Sequence, residues 1–133
     1  MLPILALLLV AGSAAADDCR EMPTTSAVQN CRASSLADAE QKKVDAAYNK
    51  LLALLEAKDR KWPQYVIADR HYVQTLQASQ AAWAAFVDVQ CDLEGMEWLG
   101  GAGQDGRAAE CVERLSRTRL EQLMEMLREF DGN

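Results

Sequence analysis

Four cysteines, Cys19, Cys31, Cys91 and Cys111, constrain this chain more than any other feature, because of the segment that stands in front of them. Residues 1–16 carry no charged side chain, hold an apolar run from Leu5 to Ala11 and close on Ala14, Ala15 and Ala16. This is the build of a secretory signal peptide with an A-x-A cleavage site before Asp17, although no Lys or Arg stands in its n-region. A membrane anchor is the competing reading, but the stretch falls short of the roughly 20 apolar residues that a spanning helix needs. A lipid on Cys19 is a third reading, disfavoured by Ala16, Asp17 and Asp18, which are not the small apolar set that lipoprotein processing prefers. Residues 1–16 are therefore expected to be removed, leaving 17–133 as one domain without a membrane span, periplasmic or secreted.

An exported chain reaches an oxidising compartment, where thiols pair, and two disulfides are expected. Zinc is the alternative use of cysteine, yet no C-x-x-C occurs and His71 is the single histidine. The pairs close in sequence, Cys19 with Cys31 and Cys91 with Cys111, are favoured. Closing a loop of about 20 residues stabilises a fold by roughly 3 kcal/mol in the chain-entropy view. Crossed pairings stay open, because an antiparallel bundle can bring all four sulfurs to one end.

Periodicity then predicts an all-α fold. Residues 17–32 read as a polar lead-in stapled by its disulfide, and Ser35-Leu36-Ala37-Asp38 resembles a helix start, a hydroxyl cap with an acid three residues on. The first helix is expected to run from there to about Lys61, with Val44, Ala47, Tyr48, Leu51, Leu54 and Leu55 on one face. Trp62-Pro63 marks a turn, since proline disfavours helix in the residue before it; a continuous helix kinked there is the alternative. A second helix is read from Gln64 to about Cys91 with Tyr65, Val66, Tyr72, Val73, Leu76, Trp83 and Val87 inward, and a third from Gly106 or Arg107 to Phe130. Between them, residues 92–105 hold Gly95, Gly100, Gly101 and Gly103 and read as one long glycine-rich loop. The expectation is a small up-down-up three-helix bundle with two disulfides.

Catalytic chemistry is not legible in this chain. There is no G-x-S-x-G, no H-E-x-x-H and no phosphate-cradling glycine loop, so no catalytic residue, metal or cofactor is assigned. His71 reads as a surface or structural residue beside Asp69 and Arg70. Arg119 shares the stripe of Val112, Leu115 and Leu123 and should point inward, where a guanidinium requires partners. Asp88, Gln80 or Asp45 on facing helices would supply them as a structural polar bridge. The loop offers Glu94, Met96, Glu97, Trp98 and Leu99 as a partner-binding surface, with Leu93 beside them. Trp98 either presents itself to a partner or folds back to cap the bundle end.

The net charge is -6, and the leader carries none of it. Such a surface repels phosphate backbones and anionic lipid and attracts cationic partners, so no nucleic-acid partner is expected; the alternative is that the charge serves only to keep the protein in solution.

The stretch Gln80-Ala81-Ala82-Trp83-Ala84-Ala85-Phe86, followed by Asp88 and Cys91, resembles the Q-x-x-W-x-x-[FY]-R-[DN]-x-x-C signature of the lysozyme inhibitor LprI N-terminal domain family. Cys31, Tyr48, Gly100-Gly101, Cys111, Thr118-Arg119 and Leu123 extend the likeness over almost the whole mature chain. Val87 replaces the usual arginine and Ala102 a frequent serine, so any polar network built on those two residues is not expected here. The resemblance implies an exported, helical, disulfide-bonded protein that binds a cationic lysozyme-type glycan hydrolase. An immunity-like or accessory envelope protein with a different protein partner is the alternative. The oligomeric state is not legible.

Overall fold

A computed structural model describes residues 18–62 and 71–132 of the protein. A 3-10 turn, Cys19–Glu21, leads into α1, Thr25–Lys61; α2, Tyr72–Met96, runs back; and α3, Gln104–Asp131, runs forward beside α1. No strand occurs among the described residues. This is the expected up-down-up bundle, and its disulfides are Cys19 to Cys31 and Cys91 to Cys111. The leader, the turn read at Pro63, and Tyr65 and Val66 lie outside the described residues.

The first helix begins ten residues before the expected start: Thr25, not Ser35. Thr24 is the extended N-cap, and its hydroxyl accepts from the Ala27 N–H at 3.1 Å, which satisfies one of the free donors of the first turn. Ser35 lies inside the helix, where its hydroxyl stands 3.8 Å from Cys19 Sγ. Cys19 itself is fully buried, so the lead-in is packed against the helix as well as stapled to it. The helix ends at Trp62, whose neighbour Pro63 disfavours helical geometry, and Lys58, Arg60 and Lys61 in the last turn suit the negative end of the macrodipole.

The buried face of α1 runs Ala33, Ala37, Val44, Ala47, Leu51 and Leu55, with small residues first and leucines later. The leucine end forms the main core with Leu76 of α2 and Leu123 of α3, rimmed by Tyr48, Val73, Leu120, Met126 and Phe130. Phe130 also meets Tyr72 edge to face at 5.6 Å, closing that end of the bundle. A second cluster of Val87, Cys91 and Cys111 joins α2 to α3, and Trp83 packs against both clusters.

The N-terminus of α2 is capped from another helix. Asp59 of α1 accepts from the N–H groups of Tyr72 and Val73, each at 3.1 Å, whereas the N-cap residue His71 supplies no side-chain cap. A carboxylate at this position satisfies two free donors and meets the positive end of the dipole. Asp59→Ala is expected to lower stability by about 1–2 kcal/mol, the worth of a lost cap, in urea unfolding. The opposite sign is expected at Ser116, fully buried on α3, whose hydroxyl has no hydrogen-bond partner among the described residues. Ser116→Ala removes a desolvated donor and should raise stability by about 1 kcal/mol in the same assay.

Candidate partner-binding surface

Two stripes share α2. Leu76, Val87, Cys91 and Gly95 are buried against the rest of the bundle. On the other side Phe86, Val89, Leu93 and Met96 stand in solvent, and Trp98 and Leu99 continue the apolar surface past the end of the helix. The charges beside them are Asp88, Asp92 and Glu97, all exposed, and no Lys or Arg occurs between Tyr72 and Met96. Asp88 and Asp92 stand one helical turn apart, a like-charge pair that costs an isolated helix a few tenths of a kcal/mol. Between α2 and α3 they line a shallow groove of about 230 Å³ with Trp83, Val87 and Val112.

The connection from α2 to α3 is shorter than expected. Helix α2 continues to Met96 and α3 starts at Gln104, so residues 97–103 alone form the turn, and Leu93, Glu94, Gly95 and Met96 are helical. Successive short bonds order it, with Trp98 N–H donating to Gly95 O at 3.0 Å and Gly101 N–H to Trp98 O at 2.9 Å. Gly100 takes φ 78°, a left-handed conformation that a side chain would strain. Asn30 of α1 donates from Nδ2 to Ala102 O at 2.7 Å and so ties the turn to the bundle. Gly106 makes that tie fit, since a Cβ there would collide with Asn30 Oδ1. Together with the Cys91–Cys111 bridge at its base, these contacts tie the turn to the bundle. The Trp98 ring folds toward Gly103 of the same turn, and the residue is 51% exposed.

Glu94 stands apart from the other candidate residues. It accepts from Arg114 Nη2 at 2.7 Å and from Gln90 Nε2 at 3.1 Å, which turns its carboxylate toward α3. The Gln90 amide, then the Arg114 guanidinium, hold that carboxyl below the usual glutamate range. Met96, Glu97, Trp98 and Leu99 remain together on the open side.

Arg119 is buried and donates to Gln80 Oε1 at 3.0 Å, Ser79 Oγ at 3.1 Å and Gln122 Oε1 at 3.3 Å, with the Trp83 ring 6.0 Å from its guanidinium carbon. Burial pulls its pKa down from the ordinary arginine value. Asp88 is not in this bridge. It lies two turns beyond Gln80 and faces the groove, and Asp45 is exposed on α1. Ser79 and Gln122 complete the bridge in place of Asp88 and Asp45; the first adjoins Gln80 and the second stands one turn from Arg119.

The sequence profile described as lysozyme inhibitor LprI matches residues 15–123. The chain belongs to the LprI family. A relative from Rhizobium meliloti (strain 1021), named an uncharacterized protein, is 29% identical over 129 residues, covering 94% of this chain and 93% of its own. No solved structure matches. LprI proteins are described by inhibition rather than catalysis, and the two disulfides fit an extracytoplasmic member. Among the described residues no helix is long and apolar enough to cross a membrane.

Two outcomes test this geometry. Asn30→Ala should cost the turn about 1 kcal/mol of local stability, read as roughly fivefold faster amide exchange over residues 98–103, with the core amides unchanged. For Glu94, a lowered pKa means that folding favours its charged form. The contribution of the Glu94 contacts is present at neutral pH and is lost as pH falls through the depressed value. A carboxyl-carbon NMR titration should therefore place the Glu94 midpoint below the ordinary glutamate value, and Arg114→Ala should move it upward.

Proposed function

We propose that this LprI protein is an exported inhibitor that binds a cationic lysozyme-type glycan hydrolase and blocks it sterically. One observation carries the reading: an apolar face, from Phe86 along α2 to Trp98 and Leu99, bordered by Asp88, Asp92 and Glu97 and without a Lys or Arg on the helix. Apolar area bordered by charge of one sign suits a partner with the opposite sign, the charge guiding encounter and the apolar contact supplying affinity. The net charge of -6 acts in the same direction at longer range. Family membership supplies the class of partner. The domain acts in the periplasm or outside the cell after loss of residues 1–16, and it uses no catalytic residue, metal or cofactor of its own.

Preorganisation adds to the case for the turn. A segment already bonded to α1 and closed by a disulfide loses little entropy when a partner binds. Trp98 is then the natural anchor, with one face of its ring supported by Gly103 and the remainder free.

Titration against lysozyme in a cell-wall lysis assay, at about 0.01 M and about 0.15 M salt, tests the proposal, since the screening length falls from about 30 Å to about 8 Å between them. Inhibition is expected at both, stronger at the lower; none at either would remove lysozyme as the target and direct the same surface to another protein. Trp98→Ala should raise the half-inhibitory concentration about thirtyfold, the 2 kcal/mol of a typical anchor. The melting temperature should hardly move, and a large drop would instead assign Trp98 to the core.

A further inference from the structure

We propose that the exposed seam of α2 docks an amphipathic helix of the partner protein, one whose apolar a and d positions are flanked by Lys or Arg. This rests on the reading of the face as the partner-binding surface and specifies what lies on the other side of it. Phe86, Val89, Leu93 and Met96 are 49%, 65%, 60% and 52% exposed. They follow one another at steps of three, four and three, the heptad spacing by which one helix packs into another. Single surface hydrophobics need no explanation. Four in one register, on a helix whose opposite face is already buried, do. The seam covers about 15 Å of helix axis at 1.5 Å per residue, enough for three turns of a visiting helix.

Charge selects the occupant. With Phe86 and Leu93 at a, and Val89 and Met96 at d, the flanking positions are Ala85, Gln90, Asp92 and Glu97. In a parallel pairing of two copies, Asp92 of one would face Glu97 of the other; in an antiparallel pairing, g faces g and e faces e. Either sets acid against acid, so the seam opposes a second copy of this chain. It opposes an anionic membrane surface for the same reason. The helix carries no Lys or Arg to neutralise these carboxylates, and basic flanks on the visitor would. Glu94 takes no part, since Gln90 and Arg114 already occupy it.

The test uses the purified exported protein and two fluorescein-labelled peptides of one helical design, about 21 residues or three heptads long. Both carry Leu at every a and d; one has Lys at every e and g, the other Glu. Anisotropy should show saturable binding of the Lys peptide and at least about tenfold weaker binding of the Glu peptide. Leu93→Lys should abolish binding of the Lys peptide without changing the circular-dichroism melt, and the pair Asp92→Lys with Glu97→Lys should invert the preference. Equal affinity for the two peptides, binding of neither, or binding that survives Leu93→Lys would overturn the proposal. So would a dimer in sedimentation that Leu93→Lys dissolves, because a second copy would then own the seam. Lysozyme inhibition, measured on the same proteins, separates the two claims. A protein that inhibits lysozyme but ignores both peptides keeps the inhibitor reading and loses the seam, while one that binds the Lys peptide as described and leaves lysozyme active does the reverse.

Discussion

The packing of α1 along α3 is the constraint on which the rest of the molecule depends. These two helices run side by side in the same direction, from Asn30 beside Ala102 and Gly106 at one end to Lys58 over the Phe130 ring at the other. Burial of Leu51, Leu55 and Leu123 between them is the principal apolar gain of the fold. Helix α2 joins this pair along one stripe only, and that is why a face of it is left to solvent. A three-helix arrangement of unequal contacts thus produces a supported helix with a free side, without any special loop.

What holds α2 is more varied than apolar packing. Leu76 enters the main core, Trp83 spans both clusters, the Cys91–Cys111 bridge joins α2 to α3, and Asp59 takes hold of its first turn. Arg119 adds a buried cation surrounded by neutral acceptors, Gln80, Ser79 and Gln122, and by the face of Trp83. A buried guanidinium without a carboxylate beside it is costly to keep. Its hydrogen bonds have fixed directions, however, so it favours one register of α2 on α3 over its neighbours, which greasy contacts alone do weakly.

Much of this was legible in the residues, and the failures have physical causes. The disulfide pairs are the ones close in sequence, as expected for thiols that pair, and the inward turn of Arg119 follows from the stripe it shares with Leu115 and Leu123. The start of α1 is hard to read because Ser35 and Asp38 imitate a cap, while the true cap, Thr24, precedes a stretch with few large apolar residues. Long-range packing settled it, since Ala33 and Ala37 are buried and Cys31 must meet Cys19. Gly95 reads as a breaker and so lengthens the expected loop, although it sits where α2 approaches α3 closely and a Cβ would stand 3.5 Å from that of Ala108. Phe86 and Val89 went unnoticed as surface residues because the stripe through Trp83 and Val87 already accounts for a core face. Periodicity identifies an apolar stripe, and it does not say how many faces the neighbours will cover.

The carboxylate of Asp59 also couples the ends of two helices. Because a side chain of α1 grips the opening turn of α2, the two elements are joined through space at that end. Fraying of the last turn of α1 would withdraw the acceptor from two backbone donors of its neighbour, so the two helix ends loosen together. Breathing at that end is thereby shared, whereas the Cys91–Cys111 bridge keeps the far end of α2 in place.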